Sequence, residues 1–442
     1  MDERFWVTTL GCPKNEVDSQ KLIGRLVAGG YEPALDPRQA DIVVVNTCAF
    51  IESAREESIE AILDLHGVRK PGSRLVVTGC LAERSGEELA AALGEVDLVA
   101  GFGVPVELKT ARRVVRSGPK VSSPDASPNS FDLLELPRPP SSSPWAYVKV
   151  AEGCDRRCGF CAIPSFRGKQ RSRPLASVLE EIETLGAREI VLVAQDLASY
   201  GHDRTVNAGR HHGEFADIVD LIDEAARRVE RVRLLYIYPS SLNDRLVEAI
   251  VGTGLPYFDL SLQHASGRLL RRMRRWGNGT RFLERIRRIR RIEPGAAFRS
   301  SFILGYPGET EEDHDELLRF IEEADLDWAG FFTFSRENGT LASGLDDQVP
   351  SSLALERLRE CSELQEAITA RRRRQLVATT SEVLVDEPGR ARSYREAPEI
   401  DGIVRVPRSL PKGWLGSVRF VDANGPDLEA VPVSELVGGS TR

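Results

Sequence analysis

The sequence lacks both a long apolar run and a basic leader. None of its hydrophobic stretches approaches the roughly 20 residues of a transmembrane helix. The chain starts MDERFWVTTLGC, which is acidic where a secretory signal would be basic. These absences argue against a membrane-spanning or secreted protein and predict a cytoplasmic one. In a reducing cytoplasm the seven cysteines are not expected to form disulfides, which leaves metal ligation, catalysis or burial.

An excess of positive charge is also missing. The chain has 59 Lys and Arg against 67 Asp and Glu, a net charge of −8, which argues against attraction of nucleic acid over the whole surface. Its 442 residues exceed what one hydrophobic core normally serves, so we expect about two to four domains. With 41% hydrophobic and 29% charged residues, the composition is that of a globular protein.

Three cysteines are concentrated in one segment, residues 147–174, which reads YVKVAEGCDRRCGFCAIPSFRGKQRSRP. An apolar, β-prone run leads to Cys154, Cys158 and Cys161. Three closely spaced thiolates suit either zinc with a fourth ligand from elsewhere or a four-iron cluster with one iron left open. Structural zinc sites usually pair two C-x-x-C units, so the C-x-x-x-C-x-x-C spacing favours the cluster.

A second set of cysteines follows three apolar runs near the start of the chain. FWVTTLGC, DIVVVNTC and RLVVTGC end at Cys12, Cys48 and Cys80. Strands that alternate with helices predict a parallel sheet, whose site lies at the carboxyl ends of its strands, so the three thiols can converge. Free cysteine is often simply buried. Three cysteines in three successive units nevertheless favour a second three-cysteine cluster.

Helix starts in this first part are predicted from capping signals. Ser53 with Glu56 fits the S-x-x-E capping box, and so does Ser85 with Glu88. Asp18 is a candidate cap for a helix that stops at the following pair of glycines.

The remaining composition divides the chain into further segments. Residues 117–144 are rich in proline and serine and predict an extended linker. Six β-prone runs then alternate with helical patterns, too few for a closed eight-fold barrel, and predict an open partial barrel. These runs are 145–150, 189–194, 232–237, 257–262, 297–304 and 329–334. Residues 376–442 contain short β-branched runs broken by turns and predict a small antiparallel barrel.

The motif C-x-x-x-C-x-aromatic-C, with Phe160 at the aromatic position, resembles the cluster motif of the radical S-adenosylmethionine (SAM) superfamily. Over nearly the whole chain, the sequence resembles the radical SAM methylthiotransferases. That resemblance implies an α/β protein with an N-terminal parallel domain (1–116), a linker (117–144), an open (β/α)6 barrel (145–375) and a TRAM-like, OB-like barrel (376–442). It also implies SAM and two [4Fe–4S] clusters, ligated by Cys12, Cys48, Cys80 and by Cys154, Cys158, Cys161.

Polar residues follow the predicted barrel strands, where the chemistry of such barrels lies. Gln195 and Asp196 follow the second strand, and Gln263 follows the fourth. The resemblance implies that the first pair meets the amino end of SAM and that FILGYPGET, with Ile303 and Gly305, lies along its adenine. Phe160 and Gln263 are further predicted contacts of SAM. Because AQD stands where many superfamily members have G-G-E, Gln195 and Asp196 are equally consistent with hydrogen bonding at the barrel rim.

Four sequence segments resemble those of the branch of the family that modifies an aspartate of a small-subunit ribosomal protein. They are GCPKNEVDS, NTCAFIESAREES, AQDLASYG and APEIDG. The tRNA-modifying branch usually has G-C-Q-M-N at the first cysteine. The resemblance implies transfer of a methylthio group to the aspartate β-carbon with two SAM per turnover. An unactivated C–H bond cannot be deprotonated by a side chain near neutral pH, so radical chemistry suits this reaction.

Charge bears on the expected partners. From Leu376 onward the chain has eight Lys and Arg against ten Asp and Glu, so the C-terminal barrel suits a basic ribosomal protein better than RNA. We expect a monomer served by an electron donor such as flavodoxin or ferredoxin. Two alternatives stay open: methylthiolation of isopentenyladenosine in tRNA, suggested by the barrel and by dense arginines at 268–291 and 371–374, and a zinc-stabilised nucleic-acid-binding protein.

Overall fold

The computed structural model describes residues 3–102, 104, 106, 132–207 and 216–433. Its first unit is a five-stranded sheet in the order β2-β1-β3-β4-β5, and all neighbouring strands are parallel. The strand β3 is buried along its whole length, as its β-branched sequence IVVVNT favours. The elements are β1 Arg4–Thr9, α1 Pro13–Ala28, β2 Glu32–Pro33, β3 Ile42–Thr47, α2 Glu52–Val68, β4 Arg74–Gly79, α3 Cys80–Ala92 and β5 Leu98–Val99.

The predicted parallel α/β unit is confirmed, but the predicted caps are wrong at Asp18, Ser53 and Ser85. β4 turns directly into α3, and only a few residues separate β1 from α1 and β3 from α2, so each helix begins earlier than its capping signal indicates. α1 begins at Pro13, a residue favoured at the first helical position, and α3 begins at Cys80. Asp18 is consequently a buried residue inside α1, and Ser85 lies at a kink inside α3.

The second unit is the predicted open barrel. Its strands form two parallel three-stranded sheets, β6-β9-β10 and β11-β12-β13, which a single bridge between Ile237 and Leu260 joins in sequence order. Helices between the strands bury their apolar faces on the outside of the barrel. The elements are β6 Trp145–Lys149, β7 Ala151–Glu152, α4 Ile163–Arg167, β8 Arg171–Ser172, α5 Leu175–Leu185, β9 Glu189–Val193, α6 His202–Asn207, α7 Ile218–Ala226, β10 Arg231–Leu234, α8 Asp244–Gly252, β11 Tyr257–Gln263, α9 Gly267–Arg272, α10 Gly279–Ile292, β12 Ala297–Leu304, α11 Glu311–Ala324, β13 Trp328–Thr333 and α12 Ser351–Gln375.

The third unit is a small closed barrel with the strand order β14-β15-β16-β18-β17, which confirms the predicted C-terminal barrel. Its neighbouring strands are antiparallel as predicted, except that β16 and β18 are parallel. Five of its valines form a separate small core with a phenylalanine, a leucine and two alanines. The strands are β14 Thr380–Glu387, β15 Arg390–Arg392, β16 Val404–Arg405, β17 Leu415–Asn424 and β18 Asp427–Pro432.

The loop between β15 and β16, residues 393–401, closes the amino ends of the partial barrel; we call it the plug loop. The Tyr147 hydroxyl donates to the carbonyl oxygen of Pro398 at 3.2 Å, and the Tyr257 hydroxyl donates to an Asp401 carboxylate oxygen at 2.6 Å. The Trp328 indole N–H donates to the carbonyl of residue 395 at 2.7 Å. These hydrogen bonds attach the C-terminal barrel to the amino ends of the partial-barrel strands.

A buried carboxylate holds the same interface. Glu189, the first residue of β9, accepts hydrogen bonds from Arg231 at 2.9 Å, Arg233 at 2.8 Å and Arg392 at 2.9 Å. All four side chains are buried. Burial alone would raise the pKa of Glu189, but the three guanidinium groups outweigh it and hold that pKa well below its usual range.

Most of the predicted linker, up to residue 131, lies outside the described residues. Its last part, residues 132–144, packs between α1 and the barrel, because the Lys21 ammonium donates to the carbonyl oxygens of Leu134 at 2.6 Å and Leu136 at 3.0 Å. Among the described helices, none has both the length and the apolar character needed to span a membrane.

Candidate active site

The cysteines of the C-x-x-x-C-x-x-C motif lie in the loop that follows β6 and β7 at the carboxyl end of the barrel. Gly153 adopts a φ of 75°, and a Cβ at this position would lie 2.2 Å from the carbonyl oxygen of Lys169, so the turn requires glycine. Burial raises the pKa of Cys154 to about 11, with further contributions from Asp196 and Cys158. Burial likewise raises the pKa of Cys161 to about 12, with contributions from the other two thiols of the motif. The three thiols therefore share one environment.

The upstream cysteines also meet at one place. Cys12, Cys48 and Cys80 follow β1, β3 and β4, which are neighbours in the sheet. A Cβ built on Gly11 would lie 2.9 Å from the Cys48 sulfur, so the turn before Cys12 packs against the next thiol. The structure thus brings these three residues to one sheet edge, as the strand pattern predicts.

The upstream thiols differ in their electrostatics. Burial would raise the pKa of Cys12, but Lys14, Arg167 and backbone N–H groups of the first turn of α1 outweigh it and lower that pKa. Burial raises the pKa of Cys80 to about 11 despite the nearby guanidinium of Arg167. Positive charge at this edge suits the anionic thiolates of a cluster.

In the part of the chain that the structure describes, no three His, Cys, Asp or Glu side chains converge closely enough to hold a single metal ion. A four-iron cluster takes each thiolate on a different iron and spaces the sulfur atoms more widely than one zinc ion does. The donor chemistry, three cysteines in each of two sets, fits such clusters. Ligation of iron by these six residues stays a prediction.

One arginine connects the two cysteine sets. Arg167 ends α4, a few residues after the last cysteine of the barrel motif. Its guanidinium donates to the Asn15 side-chain oxygen at 2.7 Å and to the Cys80 sulfur at 3.1 Å. The segment that carries one set of thiols is therefore bonded directly to the surroundings of the other.

Two cations and two anions surround this contact: Asp18, Lys149, Glu152 and Arg167, which we call the bridging cluster. Lys149 donates to Asp18 and, at 2.6 Å, to Glu152, while Arg167 donates to Glu152 at 3.0 Å and to Asp18 at 3.3 Å. Burial would raise the pKa of Glu152, but Arg167 and Lys149 hold it well below its usual range. The cluster is neutral in sum and joins α1 of the first unit to the barrel.

The sequence did not single out these residues as functional. One signal was available, because Lys149 interrupts an otherwise apolar strand, and a charged residue in a buried strand normally has a partner. Its partner Asp18 lies 131 residues earlier, and no local pattern connects the two.

The predicted SAM contacts after β9 lie beside the bridging cluster. Gln195 donates to Glu152 at 3.0 Å, and Asp196 accepts from Arg156 at 2.6 Å and from Ser199 at 2.7 Å. Within the described residues, one side-chain oxygen of Gln195 and one of Asp196 are buried without a hydrogen-bond partner. Buried acceptors of this kind call for a donor such as the ammonium group of an amino acid. The observation fits SAM, and contact with it stays a prediction.

The other predicted SAM contacts lie on several different elements of the barrel. Gln263 ends β11 with a φ of 74°, and Ile303 lies partly buried on β12. Gly305 follows β12 and donates its N–H to Glu309 at 2.6 Å, while a Cβ at this glycine would lie 2.5 Å from Ala354 of α12. Phe160 packs against the main barrel core. These residues lie in the loop after β7 and around the carboxyl ends of β11 and β12, and their roles stay predictions.

Buried His264 leads to a test of pH dependence. Its Nδ1 accepts from the Ser266 N–H at 3.0 Å, and burial lowers its pKa to about 3. This histidine stays neutral in the folded protein, whereas in the unfolded chain it has an ordinary pKa of about 6.5. The free energy of unfolding therefore decreases as the pH falls below that value, by about 2 kcal/mol between pH 7.5 and pH 5. His264→Asn retains an acceptor for Ser266 and should flatten this part of the profile. Denaturant unfolding of both proteins at pH 7.5 and pH 5 measures how the free energy of unfolding changes with pH. An equal change in the wild-type protein and in His264→Asn would contradict this role of His264.

Three family models match the chain in order. They are the uncharacterized protein family UPF0004 over residues 4–101, the Radical SAM superfamily over 148–321 and the TRAM domain over 377–433. These ranges lie within the predicted domains, whose limits stay predictions.

Curated relatives match nearly the whole chain. A protein named ribosomal protein uS12 methylthiotransferase RimO from Anaeromyxobacter sp. (strain Fw109-5) is 42% identical over 96% of this chain and 92% of its own. The RimO of Moorella thermoacetica is also 42% identical, over 94% of this chain and 96% of its own. The chain belongs to the RimO family. The predicted membership of the radical SAM methylthiotransferases is thereby confirmed, and the binding of [4Fe–4S] clusters by this chain stays a prediction.

Other members of the RimO family extend the match. The RimO of Geobacter sulfurreducens is 39% identical over 96% of this chain and 98% of its own. Among solved structures, the radical SAM methyltransferase TsrM from Kitasatospora setae aligns over 75% of both chains with 16% identity and a TM-score of 0.49, a partial likeness that adds nothing to the assignment.

Proposed function

We propose that this protein transfers a methylthio group to the β-carbon of an aspartate in ribosomal protein uS12. The observation that carries the proposal is the meeting of two three-cysteine sets across the bridging cluster, in a chain whose relatives are named for uS12 methylthiotransfer. One set suits the generation of a radical, and the other suits the supply of sulfur.

The proposed chemistry needs two clusters and two SAM molecules per turnover. When bound, SAM and a cluster on Cys154, Cys158 and Cys161 would supply a radical able to abstract hydrogen from an unactivated C–H bond, and a second cluster on the upstream cysteines would supply sulfur. An electron donor of the flavodoxin or ferredoxin type would provide the reducing electron.

The residues of the chain position these reactants. The unpaired buried oxygens of Gln195 and Asp196 would accept hydrogen bonds from the ammonium of SAM. The neutral bridging cluster holds the first unit against the barrel, so that the upstream thiols face the carboxyl ends of the barrel strands. The charges of the cluster are mutually paired, so no uncompensated charge is left at this contact.

The decisive experiment compares uS12 from cells with and without this gene by mass spectrometry. Wild-type cells should contain uS12 that is heavier by one methylthio group on an aspartate, and deletion should remove this increment. A plasmid with the intact gene should restore it, whereas Cys154→Ala should not. If uS12 has the same mass with and without the gene, the proposed substrate is wrong.

Methylthiolation of tRNA is the competing outcome. The arginine run 371–374 that suggested it is largely engaged within the protein: Arg371 and Arg372 pair with Asp325, and Arg373 pairs with Glu396. Nucleoside analysis of tRNA from the deletion strain tests the alternative, because loss of a methylthioadenosine together with unchanged uS12 would reverse the assignment. Tight binding of tRNA with a steep dependence on salt would support that reversal.

A further inference from the structure

Lys14 is a cation near Cys12 whose ammonium has no hydrogen-bond acceptor among the residues that the structure describes. Lys14 lies two residues after Cys12 in the first turn of α1, and its ammonium lies 3.5 Å from the ring centroid of Tyr236. Within the described residues, this ammonium donates no hydrogen bond and forms no ion pair, although the side chain is partly buried. By contrast, buried Lys21 donates to two carbonyls and Glu181, and buried Lys149 donates to two carboxylates.

The position of Lys14 is unfavourable for the helix. A cation at the amino end of a helix opposes the helix dipole, so the first turn of α1 would be more stable without it. Lysine also normally extends its ammonium into water, and this one lies over an aromatic ring at the junction of two domains. Such a placement is expected where the cation has a ligand.

Tyr236, whose ring lies beneath Lys14, has an uncommon backbone conformation. Tyr236 follows β10 with a φ of 66°, a left-handed value that is rare for bulky residues and concentrates at functional sites. Its N–H donates to the Asp259 carboxylate at 2.9 Å, which fixes the turn. Two unfavourable features, the cation and the strained tyrosine, therefore meet at one point.

This point lies next to the surroundings of the barrel cysteines. Two residues after Tyr236, the ring of Tyr238 packs against the guanidinium of Arg156 at 3.9 Å and that of Arg275 at 4.0 Å. Both arginines already have partners, because Arg156 pairs with Asp196 and Arg275 donates to the Cys158 sulfur at 3.4 Å. Of these three cations, Lys14 is the one whose donors have no acceptor among the described residues.

We propose that the Lys14 ammonium binds the side-chain carboxylate of the substrate aspartate and that the ring of Tyr236 holds the lysine in place. This inference rests on the proposed function. An ammonium offers three donors to a carboxylate, and the methylene next to that carboxylate would then lie beside the upstream cysteines. The site selects an acidic side chain over a neutral amide or a nucleobase.

The test compares Lys14→Met with Lys14→Arg in reconstituted protein. Binding of purified uS12, measured by isothermal titration calorimetry, should weaken about 10- to 100-fold in Lys14→Met, the loss typical of a charge-assisted hydrogen bond, and should largely persist in Lys14→Arg. A uS12 variant with the modified aspartate replaced by asparagine should bind wild-type protein equally weakly. Lys14→Met should bind uS12 with aspartate and uS12 with asparagine equally well. The two substitutions remove the same contact, so their effects on the binding free energy do not add.

The tyrosine supplies an independent check. Tyr236→Phe retains the ring face and should retain affinity for uS12, whereas Tyr236→Leu should weaken binding about 3- to 30-fold. Iron content and circular dichroism of each variant show whether the fold is intact.

Several results would overturn the inference. Unchanged uS12 binding by Lys14→Met would do so, and the proposed function would survive if wild-type protein still modifies uS12. Loss of iron from Lys14→Met with unchanged uS12 affinity would instead place the lysine on the cluster. Absence of uS12 modification by wild-type protein is a separate measurement and would contradict the proposed function itself.

Discussion

Replacing Cys12, Cys48 and Cys80 together by alanine should halve the iron of the anaerobically reconstituted protein, from about eight atoms to about four per chain. Methylthio transfer should disappear, because the proposed sulfur source is removed. Cleavage of SAM should persist, since the barrel cysteines are unchanged. Iron analysis, the brown iron–sulfur absorption and product mass spectrometry measure these three quantities on one preparation.

The matched control is Cys361→Ala. This thiol is fully buried on α12, as Cys48 and Cys80 are buried, and burial raises its pKa to about 12. No other cysteine lies near it in the sequence. Its replacement should leave the iron content unchanged. If the triple variant kept all its iron, the second cluster would lie elsewhere. Stoichiometric zinc without iron–sulfur absorption in wild-type protein would support a zinc protein.

Replacing Glu189 by glutamine should lower the free energy of unfolding by about 3 to 5 kcal/mol, the usual effect of removing one partner from a buried ion pair. The substitution leaves three buried guanidinium groups without their shared carboxylate. Because the folded pKa of Glu189 lies below its unfolded value, its contribution is fully present above about pH 4.3 and is lost as pH falls further. Wild-type protein and the variant should therefore differ most near neutral pH.

Glu230→Gln serves as the control for this measurement. Glu230 pairs with Arg188 at 2.8 Å, but both side chains are close to half exposed, so its loss should change stability by less than about 1 kcal/mol. Denaturant unfolding followed by circular dichroism compares the two variants. Equal losses in both would show that the buried cluster is not a major source of stability.

Much of the fold is predictable because its signals are local. The run at 297–304 coincides with β12, and the three strand-end thiols follow from β-branched runs that stop at a cysteine. The open barrel follows from the number of strand and helix units. Such features depend on neighbours in sequence, which a single chain displays directly.

The remaining errors arise where distant residues decide the outcome. Asp18 fits a helix cap locally, yet it is buried because Lys149 and Arg167, at separations of 131 and 149 residues, pair with it. Likewise, the sequence draws attention to Lys14 only because it belongs to the segment GCPKNEVDS, which resembles the family. Its isolation and its contact with Tyr236 require the packing of α1 against the barrel.

The plug loop gives the chain an order of assembly. All six barrel strands leave the ribosome before residues 393–401 are synthesised, so the donors of Tyr147, Tyr257 and Trp328 lack their native acceptors until then. The nascent barrel therefore has an open base, a state in which exposed apolar surface invites aggregation or chaperone binding. Translation of the C-terminal barrel ends that exposure, so a segment made after all six strands completes the folding of the barrel that they form.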